Sequence, residues 1–173
     1  ITLNSNSDNQ NNALNIKEIK EIKGFYNKNI GGFLNNYSQK ATIGDNITFS
    51  SNSADFGGGA IFNSGQIELK NNVKFINNSL IKFVNNSNND FGGAAICNNG
   101  TLIIGSSVTF SNNIDDTYKG GGGAIVNYAK EDSEGNKHNA YLSIGDYALF
   151  EGNETNDSGG AICNYIDWLK GES

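Results

Sequence analysis

The chain has 173 residues and contains no proline, no arginine and no methionine. The absence of proline suits a continuous β-ladder in which nearly every backbone N–H donates a hydrogen bond, although the composition of an AT-rich genome would produce the same depletion. With no arginine and a net charge of −6, the chain lacks the cationic patch that neutralises phosphates. Nucleic acid is therefore not an expected partner, and an anionic membrane surface is disfavoured for the same reason.

Long apolar runs and targeting signals are absent from the printed sequence as well. It has no stretch of about 18 apolar residues, no signal peptide and no lipidation motif. Because the initiating methionine is also missing, the sequence predicts a fragment or processed piece of a longer protein.

The dominant positive feature is a short motif that occurs four times. Each copy has two small residues, then alanine, isoleucine, an apolar residue and asparagine. The copies of this first motif are Gly58-Gly59-Ala60-Ile61-Phe62-Asn63, Gly93-Ala94-Ala95-Ile96-Cys97-Asn98, Gly122-Gly123-Ala124-Ile125-Val126-Asn127 and Gly159-Gly160-Ala161-Ile162-Cys163-Asn164.

A second motif alternates with the first. It has an apolar residue, a phenylalanine six positions later and an asparagine three positions after that. Its copies are Ile43 with Phe49 and Asn52, Leu69 with Phe75 and Asn78, Ile104 with Phe110 and Asn113, and Ile144 with Phe150 and Asn153. One whole unit has about 26 residues where nothing is inserted, which suits one rung of a β-solenoid and is too short for a propeller blade.

The composition of the unit predicts strands and turns. Glycine, asparagine, isoleucine, valine and phenylalanine dominate, and the strong helix formers are scarce. Two apolar strands per unit, each parallel to its counterpart about 4.8 Å away in the next unit, predict an all-β fold, a parallel β-helix (β-solenoid) of about five rungs.

Stacking of identical units predicts columns of identical side chains. One column contains Asn63, Asn98, Asn127 and Asn164, and the other contains Asn52, Asn78, Asn113 and Asn153. Because an amide both donates and accepts, stacked asparagines can satisfy one another's hydrogen bonds. The glycine pairs predict corners that need positive φ or leave no room for a Cβ, and isoleucine and phenylalanine are expected to fill the interior.

The two cysteines occupy one slot of the first motif. Cys97 and Cys163 stand where other copies have Phe62 and Val126, which predicts small buried apolar residues. They lie two units apart, roughly 10 Å, which is beyond the reach of a disulfide. The sequence therefore predicts two thiols. It leaves open whether each cysteine or the preceding isoleucine faces the core, since strand alternation allows only one of them to do so.

The repeats also predict how the chain is organised. Residues 1–18 are expected to form a polar linker or a degenerate N-terminal rung or cap, residues 19–164 the β-helix repeats, and residues 165–173 an extension or the start of the next rung. The first unit is degenerate: Ile19 and Phe25 keep the spacing of the second motif, and Gly31-Gly32-Phe33-Leu34-Asn35-Asn36 resembles the first. A short capping helix over Ile16, Ile19 and Ile22 is the alternative for this region.

Insertions are the expected binding sites, because a solenoid accommodates them at its corners. One insertion runs from Ser79 to Asp90 and contains Phe83 and Asn85. A charged insertion runs from Ala129 to Ala140, and its candidate binding residues are Glu131, Asp132, Glu134 and His138. Each could be a ligand-facing loop on a rigid rod or a neutral, solvated excursion.

Shorter acidic segments are further candidate ligand sites. Asp115 and Asp116 lie in a loop from Ile114 to Gly120 and could contact a substrate or calcium, or form a solvated turn. Asp55, Asp90 and Asp157 recur just before the glycine pairs. They could supply the paired carboxylates of a hydrolase, or they could bind the local backbone at turns.

Catalysis and cofactor binding have little support in the sequence. His138 is the only histidine, with no second histidine to share a metal. A lyase acting on acidic polysaccharide needs cationic groups against the uronate carboxylates, and arginine is absent. We therefore expect no catalytic residue, no cofactor and no metal, calcium included.

The alternation of the Gly-Gly-Ala-Ile motif with the Phe-x-x-Asn motif resembles the polymorphic outer membrane protein repeat of chlamydiae, found also in surface proteins of other bacteria and some protists. The resemblance covers about residues 19–164. It implies an exported passenger region of the autotransporter type, folded as a right-handed β-helix and displayed at the cell surface or outer membrane, with adhesion as its usual role. Two positions depart from the pattern, where Ala94 replaces a glycine and Lys28 replaces the asparagine after Phe25.

From the resemblance and the insertions we expect a secreted or surface-exposed, non-enzymatic β-helix segment that acts in adhesion. Its partner would be a receptor or glycan of a host or neighbouring cell. One alternative is a structural stalk or filament component, which would associate with adjacent rungs of the parent chain or with itself. The other is a glycan-active enzyme, because β-helices also carry polysaccharide lyases and hydrolases.

Overall fold

The computed structural model of the chain describes residues 2–3, 14–37, 40–81, 91–117, 121–131 and 137–167. Throughout these ranges the backbone forms strands, turns and bends, and no helix. The strands build four sheets, in which neighbouring strands come from successive repeats and run parallel, apart from one antiparallel hairpin. The predicted all-β parallel β-helix of about five rungs is confirmed.

Sheet A carries the first motif. Its strands, in order of pairing, are β1 (Thr2–Leu3), β5 (Leu34–Asn36), β9 (Ile61–Asn63), β13 (Ile96–Asn98), β17 (Ile125–Glu131) and β22 (Ile162–Asp167), and β18 (Lys137–His138) forms the antiparallel hairpin with β17. Sheet B follows along the chain and contains β2 (Leu14–Ile16), β6 (Lys40–Ile43), β10 (Gln66–Leu69), β14 (Thr101–Ile104) and β19 (Tyr141–Ile144).

Sheets C and D complete each turn of the coil. Sheet C contains β3 (Glu21–Lys23), β7 (Thr48–Ser50), β11 (Lys74–Ile76), β15 (Thr109–Ser111) and β20 (Leu149–Glu151). Sheet D contains β4 (Tyr26–Asn27), β8 (Ser53–Ala54), β12 (Ser79–Leu80), β16 (Ile114–Asp115) and β21 (Glu154–Thr155). We call one passage through sheets A, B, C and D a rung. Rungs 1 to 5 end with β4, β8, β12, β16 and β21, and β22 begins a sixth.

Each rung has four short strands, where the sequence predicted two. The segment from Ile43 to Phe49 is not one strand, because it contains a turn in which Asn46 has φ +60°. Asn72, Ser107 and Tyr147 repeat this conformation in later rungs with φ of 57°, 57° and 60°. Asparagine tolerates it better than most residues. The two-residue strands of sheet D are too short to carry a recognisable sequence pattern.

The interior is filled by the aromatic and aliphatic residues of the two motifs. Phe49, Phe75, Phe110 and Phe150 stack with ring centroids 4.7, 4.9 and 4.8 Å apart and planes inclined by 4°. Ile61, Ile96 and Ile125 are fully buried in the same cluster. The ring spacing equals the spacing of hydrogen-bonded strands, so the backbone ladder places each ring on the next.

Both asparagine columns are present. At the A–B corner, Nδ2 of each asparagine donates to Oδ1 in the next rung over 2.9, 2.7, 2.7 and 2.8 Å, in the order Asn36, Asn63, Asn98, Asn127 and Asn164. At the C–D corner the order is Asn52, Asn78, Asn113 and Asn153, over 3.0, 3.0 and 2.8 Å. We call these the A–B and C–D amide columns.

The amide of Asn78 shows why such columns can be buried. Its Nδ2 also donates to the Phe49 carbonyl, and its Oδ1 also accepts from the backbone N–H of Asn52. Asn78 is 0% exposed, and all four hydrogen bonds of the side chain are made within the protein. Removal of one asparagine would therefore leave buried donors and acceptors of its neighbours without partners, which lowers the free energy of unfolding.

The structure corrects the predicted position of Phe25. Ile22, not Phe25, pairs with Phe49, and the N–H of Phe25 donates to Oδ1 of Asn52 instead. The Phe25 side chain is 47% exposed. The prediction is wrong by three residues, because Ile16 followed by Ile22 keeps the same six-residue spacing without an aromatic residue.

The capping helix considered for the same region is also wrong. Ile16 and Ile22 lie in β2 and β3, which pair with β6 and β7. Strands β1 and β2 bring residues 2–3 and 14–16 into the stack as part of rung 1.

The glycine pairs have two separate causes at the corner between sheets D and A. Gly58 has φ +61°, and a Cβ there would lie 2.0 Å from the Ile61 carbonyl oxygen. At Gly59 a Cβ would lie 2.2 Å from the Ala94 carbonyl oxygen of the next rung. The first glycine is required by its conformation and the second by the close approach of two backbones.

Candidate binding surface at the D–A corner

Two of the three predicted loops belong to the D–A corner, by which we mean the segments that connect a strand of sheet D to the next strand of sheet A. Ser79 and Leu80 lie in β12, so the first excursion begins after them. The N–H of Ile81 donates to the Ala54 carbonyl over 3.0 Å. Phe83 and Asn85, the predicted binding residues of this loop, lie outside the described residues.

The residues after this excursion, Phe91 and Gly92, are also bonded to the corner. The N–H of Phe91 donates to the Phe56 carbonyl over 2.7 Å, and Gly92 forms a bridge with Gly57. Both ends of residues 82–90 are thus tied to the corner of rung 2. The residues that flank 82–90 are therefore fixed by backbone hydrogen bonds.

A second apolar cluster lies on the outer face of sheet A. Its buried members are Phe62, Cys97, Val126 and Tyr128, and the half-buried residues packed against it are Ile30, Tyr37, Phe91 and Cys163. The Phe91 ring is 6.3 Å from the Phe62 ring and 5.4 Å from the Tyr128 ring. Phe91 therefore anchors the end of the excursion onto the outside of the β-helix.

This cluster settles the orientation of the cysteines. Ile96 takes the interior position, and Cys97 points to the outer cluster, where it is 0% exposed. Cys163 occupies the same column but is half-buried, and the two do not form a disulfide. Burial, the Asp157 carboxylate and the Asp115 carboxylate raise the pKa of the Cys163 thiol above its ordinary value.

The outer face of sheet D, in contrast, leaves apolar side chains open. Ile114 is paired with Ser79 and is 45% exposed, and Ile81, two residues after Ser79, is 43% exposed. The side chains of Ser79 and Ile81 point to one side of the strand, so the two isoleucines lie diagonally on neighbouring rungs. We call Ile81 and Ile114 the isoleucine pair.

Strand β16 has inverted polarity. Its apolar residue, Ile114, points to solvent, and its carboxylate, Asp115, is 1% exposed. Asp115 accepts hydrogen bonds at Oδ1 from the N–H and hydroxyl of Thr117 over 3.0 and 2.5 Å. A solvated turn at Asp115 is therefore wrong, whereas Asp116 is exposed and accepts from Asn156 over 2.6 Å.

Asp55 has a buried environment of its own in rung 2. Its carboxylate is 3% exposed and accepts the Tyr26 hydroxyl at both oxygens, over 3.0 and 3.2 Å. Burial raises the pKa of Asp55, and the Tyr26 hydrogen bond and the charge of Lys28 oppose that rise. The arrangement is a local structural hydrogen bond rather than a groove between two carboxylates.

The carboxylates considered for a hydrolase do not face one another among the described residues. Asp55 follows β8 in rung 2 and Asp157 follows β21 in rung 5, so three rung spacings, roughly 14 Å, separate them. Glycosidase carboxylates stand about 5 to 9.5 Å apart. Asp90 lies outside the described residues. Within the described ranges no group of three or more histidine, cysteine, aspartate or glutamate side chains is placed to hold a metal.

The charged insertion is partly a hairpin. Ala129 and Glu131 belong to β17, and His138 belongs to β18, where it pairs with Lys130 and is exposed. Asp132 and Glu134 lie outside the described residues. The hairpin projects from the A–B side of the stack, so the structure does not bring His138 together with the D–A corner.

Sequence reasoning missed the isoleucine pair and Phe91. An alignment of the repeats on their asparagines would have revealed Ile114, because it occupies the outward slot that Ser79 fills in the preceding rung. A signal for Phe91 was present as well, because Asp55-Phe56-Gly57-Gly58 recurs as Asp90-Phe91-Gly92-Gly93.

No helix in the described part of the chain is long and apolar enough to cross a lipid bilayer.

Together these features define a parallel β-helix repeat protein. Residues 46–64, 107–128 and 148–165 match the Chlamydia polymorphic membrane protein repeat. Each match runs from sheet C through the D–A corner into sheet A, so the chain carries this repeat, as its two motifs predicted. Proteins with the repeat are associated with the outer membrane and cell surface in Chlamydia, which supports a cell-surface location. Searches of curated proteins and of solved structures each found no match.

Proposed function

We propose that this chain is a surface-exposed, non-enzymatic β-helix segment of a secreted or autotransporter-like protein, and that it acts in adhesion through the D–A corner. The carrying observation is the isoleucine pair, which is open to solvent beside an excursion anchored at both ends. The partner is a receptor or glycan of a host or neighbouring cell.

The physical features of this corner suit binding. An exposed apolar centre with polar groups around it is the usual anatomy of a recognition surface. Glu154 is in register with Ile114, and Asp116, two residues after Ile114, accepts from Asn156. The fixed ends of the excursion reduce the conformational entropy lost on binding. Loops on a rigid scaffold are the common place for recognition.

Two matched deletions test the proposal. The first replaces residues 82–90 by a short glycine linker and keeps the anchors Ile81 and Phe91. The second replaces residues 132–136, the tip of the β17–β18 hairpin, in the same way. Binding to host cells and to a glycan array is measured for both variants, with far-UV circular dichroism as the folding check.

We expect the first deletion to abolish binding and the second to leave it intact. Loss of binding with the hairpin deletion alone would move the adhesive site to the charged insertion. Unchanged binding by both folded variants would contradict an adhesive role for either loop.

The structural stalk remains a second candidate, because the face of rung 5 is open. Ile144 at this face is 39% exposed, whereas the equivalent Ile104 of rung 4 is 2% exposed. A stalk that assembles by itself should form concentration-dependent oligomers without a ligand, which sedimentation velocity detects.

A further inference from the structure

Seven asparagines of this chain begin the triplet Asn-x-Ser/Thr, which is the acceptor sequence for N-glycosylation. We call such a sequence an acceptor triplet. The asparagines are Asn36, Asn46, Asn77, Asn85, Asn99, Asn153 and Asn156. Asn85 lies outside the described residues. The others fall into two kinds of environment, because some stand in open turns and others stand at corners where the rungs stack.

Asn46 and Asn77 lie in open turns. Asn46 stands between β6 and β7 with φ +60°, Asn77 stands between β11 and β12 with φ +55°, and both are exposed. Their backbone N–H groups donate to the Asn71 and Ser111 carbonyls of the next rung over 3.1 and 3.0 Å. A glycan on either side chain would extend into solvent without displacing these bonds. Asn156 is exposed as well.

Asn99 is enclosed in the middle of the stack, at the A–B corner of rung 4. It is 5% exposed, and its Nδ2 donates to the Tyr128 carbonyl of the next rung over 2.9 Å. Its N–H donates to the Asn63 carbonyl of the preceding rung over 2.7 Å. The backbones approach closely here, since a Cβ at Gly100 would lie 2.2 Å from the Gly65 carbonyl oxygen. A sugar on Nδ2 would have to separate rungs 4 and 5.

Asn36 and Asn153 belong to the amide columns. Asn36 is 0% exposed, and its Nδ2 donates to Oδ1 of Asn63 over 2.9 Å and to the Gln66 carbonyl over 3.4 Å. Glycosylation replaces one hydrogen of Nδ2 by a sugar, so one of these two bonds would be lost and a buried acceptor left without its partner. Asn153 is half-buried, and its Nδ2 donates to the Phe110 carbonyl over 2.9 Å.

We propose that Asn99 is an N-glycan acceptor in the unfolded chain and that a glycan there prevents the stack from forming, whereas glycans at Asn46 and Asn77 leave the stack intact. The modifying substrate is a lipid-linked oligosaccharide pyrophosphate. Its glycosyl carbon forms a bond with Nδ2, the bond from that carbon to the pyrophosphate oxygen breaks, and Nδ2 loses one proton. Because the transfer reaches the chain before it folds, burial does not protect Asn99. This proposal is independent of adhesion through the D–A corner.

A matched pair of threonine substitutions in the full chain tests the proposal. Thr101→Val removes the acceptor triplet of Asn99, and Thr48→Val removes that of Asn46. Each threonine is the first residue of its strand and is half-buried, so the two changes are alike in structural cost. Thr101→Gln is a second variant for the enclosed site, because glutamine is the residue in register with Thr101 in the preceding rung.

All chains in the comparison share one background, Ser38→Ala with Thr155→Ala, which removes the acceptor triplets of Asn36 and Asn153. Each chain is made in bacterial cells without an oligosaccharyltransferase and in the secretory pathway of eukaryotic cells. Circular dichroism of the bacterial material checks that every variant folds. Mass spectrometry then locates glycans in the secreted and the retained chains from the eukaryotic cells.

We expect Thr101→Val and Thr101→Gln to raise the yield of secreted, folded chain by about fivefold or more over the background, and Thr48→Val to leave it unchanged. Glycans at Asn99 should occur in the retained chains alone, and glycans at Asn46 and Asn77 in the secreted ones. A glycan on Asn99 of secreted, folded chains, an unmodified Asn99 in both pools, or equal yields from the variants at Thr101 and Thr48 would each overturn the proposal.

Discussion

The outer faces of sheets A and D both carry apolar residues, but these residues differ in solvent exposure. On sheet A, Phe62, Cys97 and Val126 are covered by side chains from the corners, Phe91 among them. On sheet D, no comparable cluster of described residues covers Ile81 and Ile114, which are 43% and 45% exposed. The stack itself buries only inward residues, so an outward residue is buried only where a neighbouring segment crosses it. The fold does not require the isoleucine pair to be open, so its substitution tests the proposed contact surface without disturbing the core.

Thiol labelling should show the largest contrast along the covered face. Cys163 is half-buried and Cys97 is fully buried in one column. We expect Cys163 to react in the native protein and Cys97 to react only when the stack opens, on the order of a thousandfold more slowly. Mass spectrometry of the alkylated peptides measures both rates.

The charge around Cys163 gives this test an internal control. Its pKa is raised above the ordinary 9.0 by burial and then by Asp157 and Asp115, so its labelling rate should still be rising at a pH where an unperturbed thiol has levelled off. Asp157→Asn should speed labelling of Cys163 at pH 8 and leave Cys97 unchanged. Equal labelling rates for the two cysteines would show that the outer cluster is not closed.

Removal of the cover is the next test. Phe91→Ala takes away the half-buried ring that packs on Phe62 and Tyr128, and should lower the free energy of unfolding by about 2 kcal/mol, below the cost at a fully buried site. Phe25→Ala is the matched control, since that ring is 47% exposed, and should cost under about 1 kcal/mol. Urea denaturation gives both values. A larger loss at Phe25 than at Phe91 would mean that the cover contributes little.

The smallest expected effect concerns pH. The pKa of Asp55 is raised above its ordinary 3.8 by burial, so the folded state favours the protonated carboxyl. Its contribution to stability is then fully present below pH 3.8 and is lost as pH rises through the raised pKa.

Asp55→Asn should therefore gain stability relative to the native chain between pH 3 and pH 7, with a Tm change of less than about 2 °C. Tyr26→Phe should enlarge the pH dependence of the native chain, because it removes the hydrogen bond that opposes the rise in pKa. Differential scanning calorimetry measures the trend. If Asp55→Asn instead gained stability at low pH, the pKa of Asp55 would be lowered, not raised, in the folded state.

The stacked architecture could be predicted because every rung repeats the same residues. The columns of Asn63, Asn78 and Phe75 follow from spacing alone, since parallel strands in register place equal residues above one another. The register of rung 1 could not be predicted, because Ile22 replaces the phenylalanine and two frames fit the spacing. In a degenerate rung the residues that mark the register are replaced, so the sequence no longer shows how that rung pairs.

The candidate surface was less accessible to sequence reasoning. The insertions are visible as interruptions of the repeat. Ile114 is not, because it precedes an aspartate, and in such a pair the apolar residue is expected to face inward. The inversion at β16 depends on the register set by Asn113, and the cover over Cys97 depends on Phe91, whose ring packs on Phe62 and Tyr128 in other rungs. Contacts between non-equivalent rung positions leave no periodic pattern in the sequence.

Binding by a matched pair of surface variants tests whether the D–A corner is a contact surface. Ile114 on sheet D and Leu149 on sheet C are 45% and 47% exposed, so Ile114→Ser and Leu149→Ser remove similar apolar surface from different faces. Flow cytometry of labelled protein on host cells measures both, after circular dichroism has confirmed folding. We expect Ile114→Ser to lower the affinity by about tenfold or more and Leu149→Ser to leave it unchanged. Equal binding by the two variants would contradict a contact surface at the D–A corner.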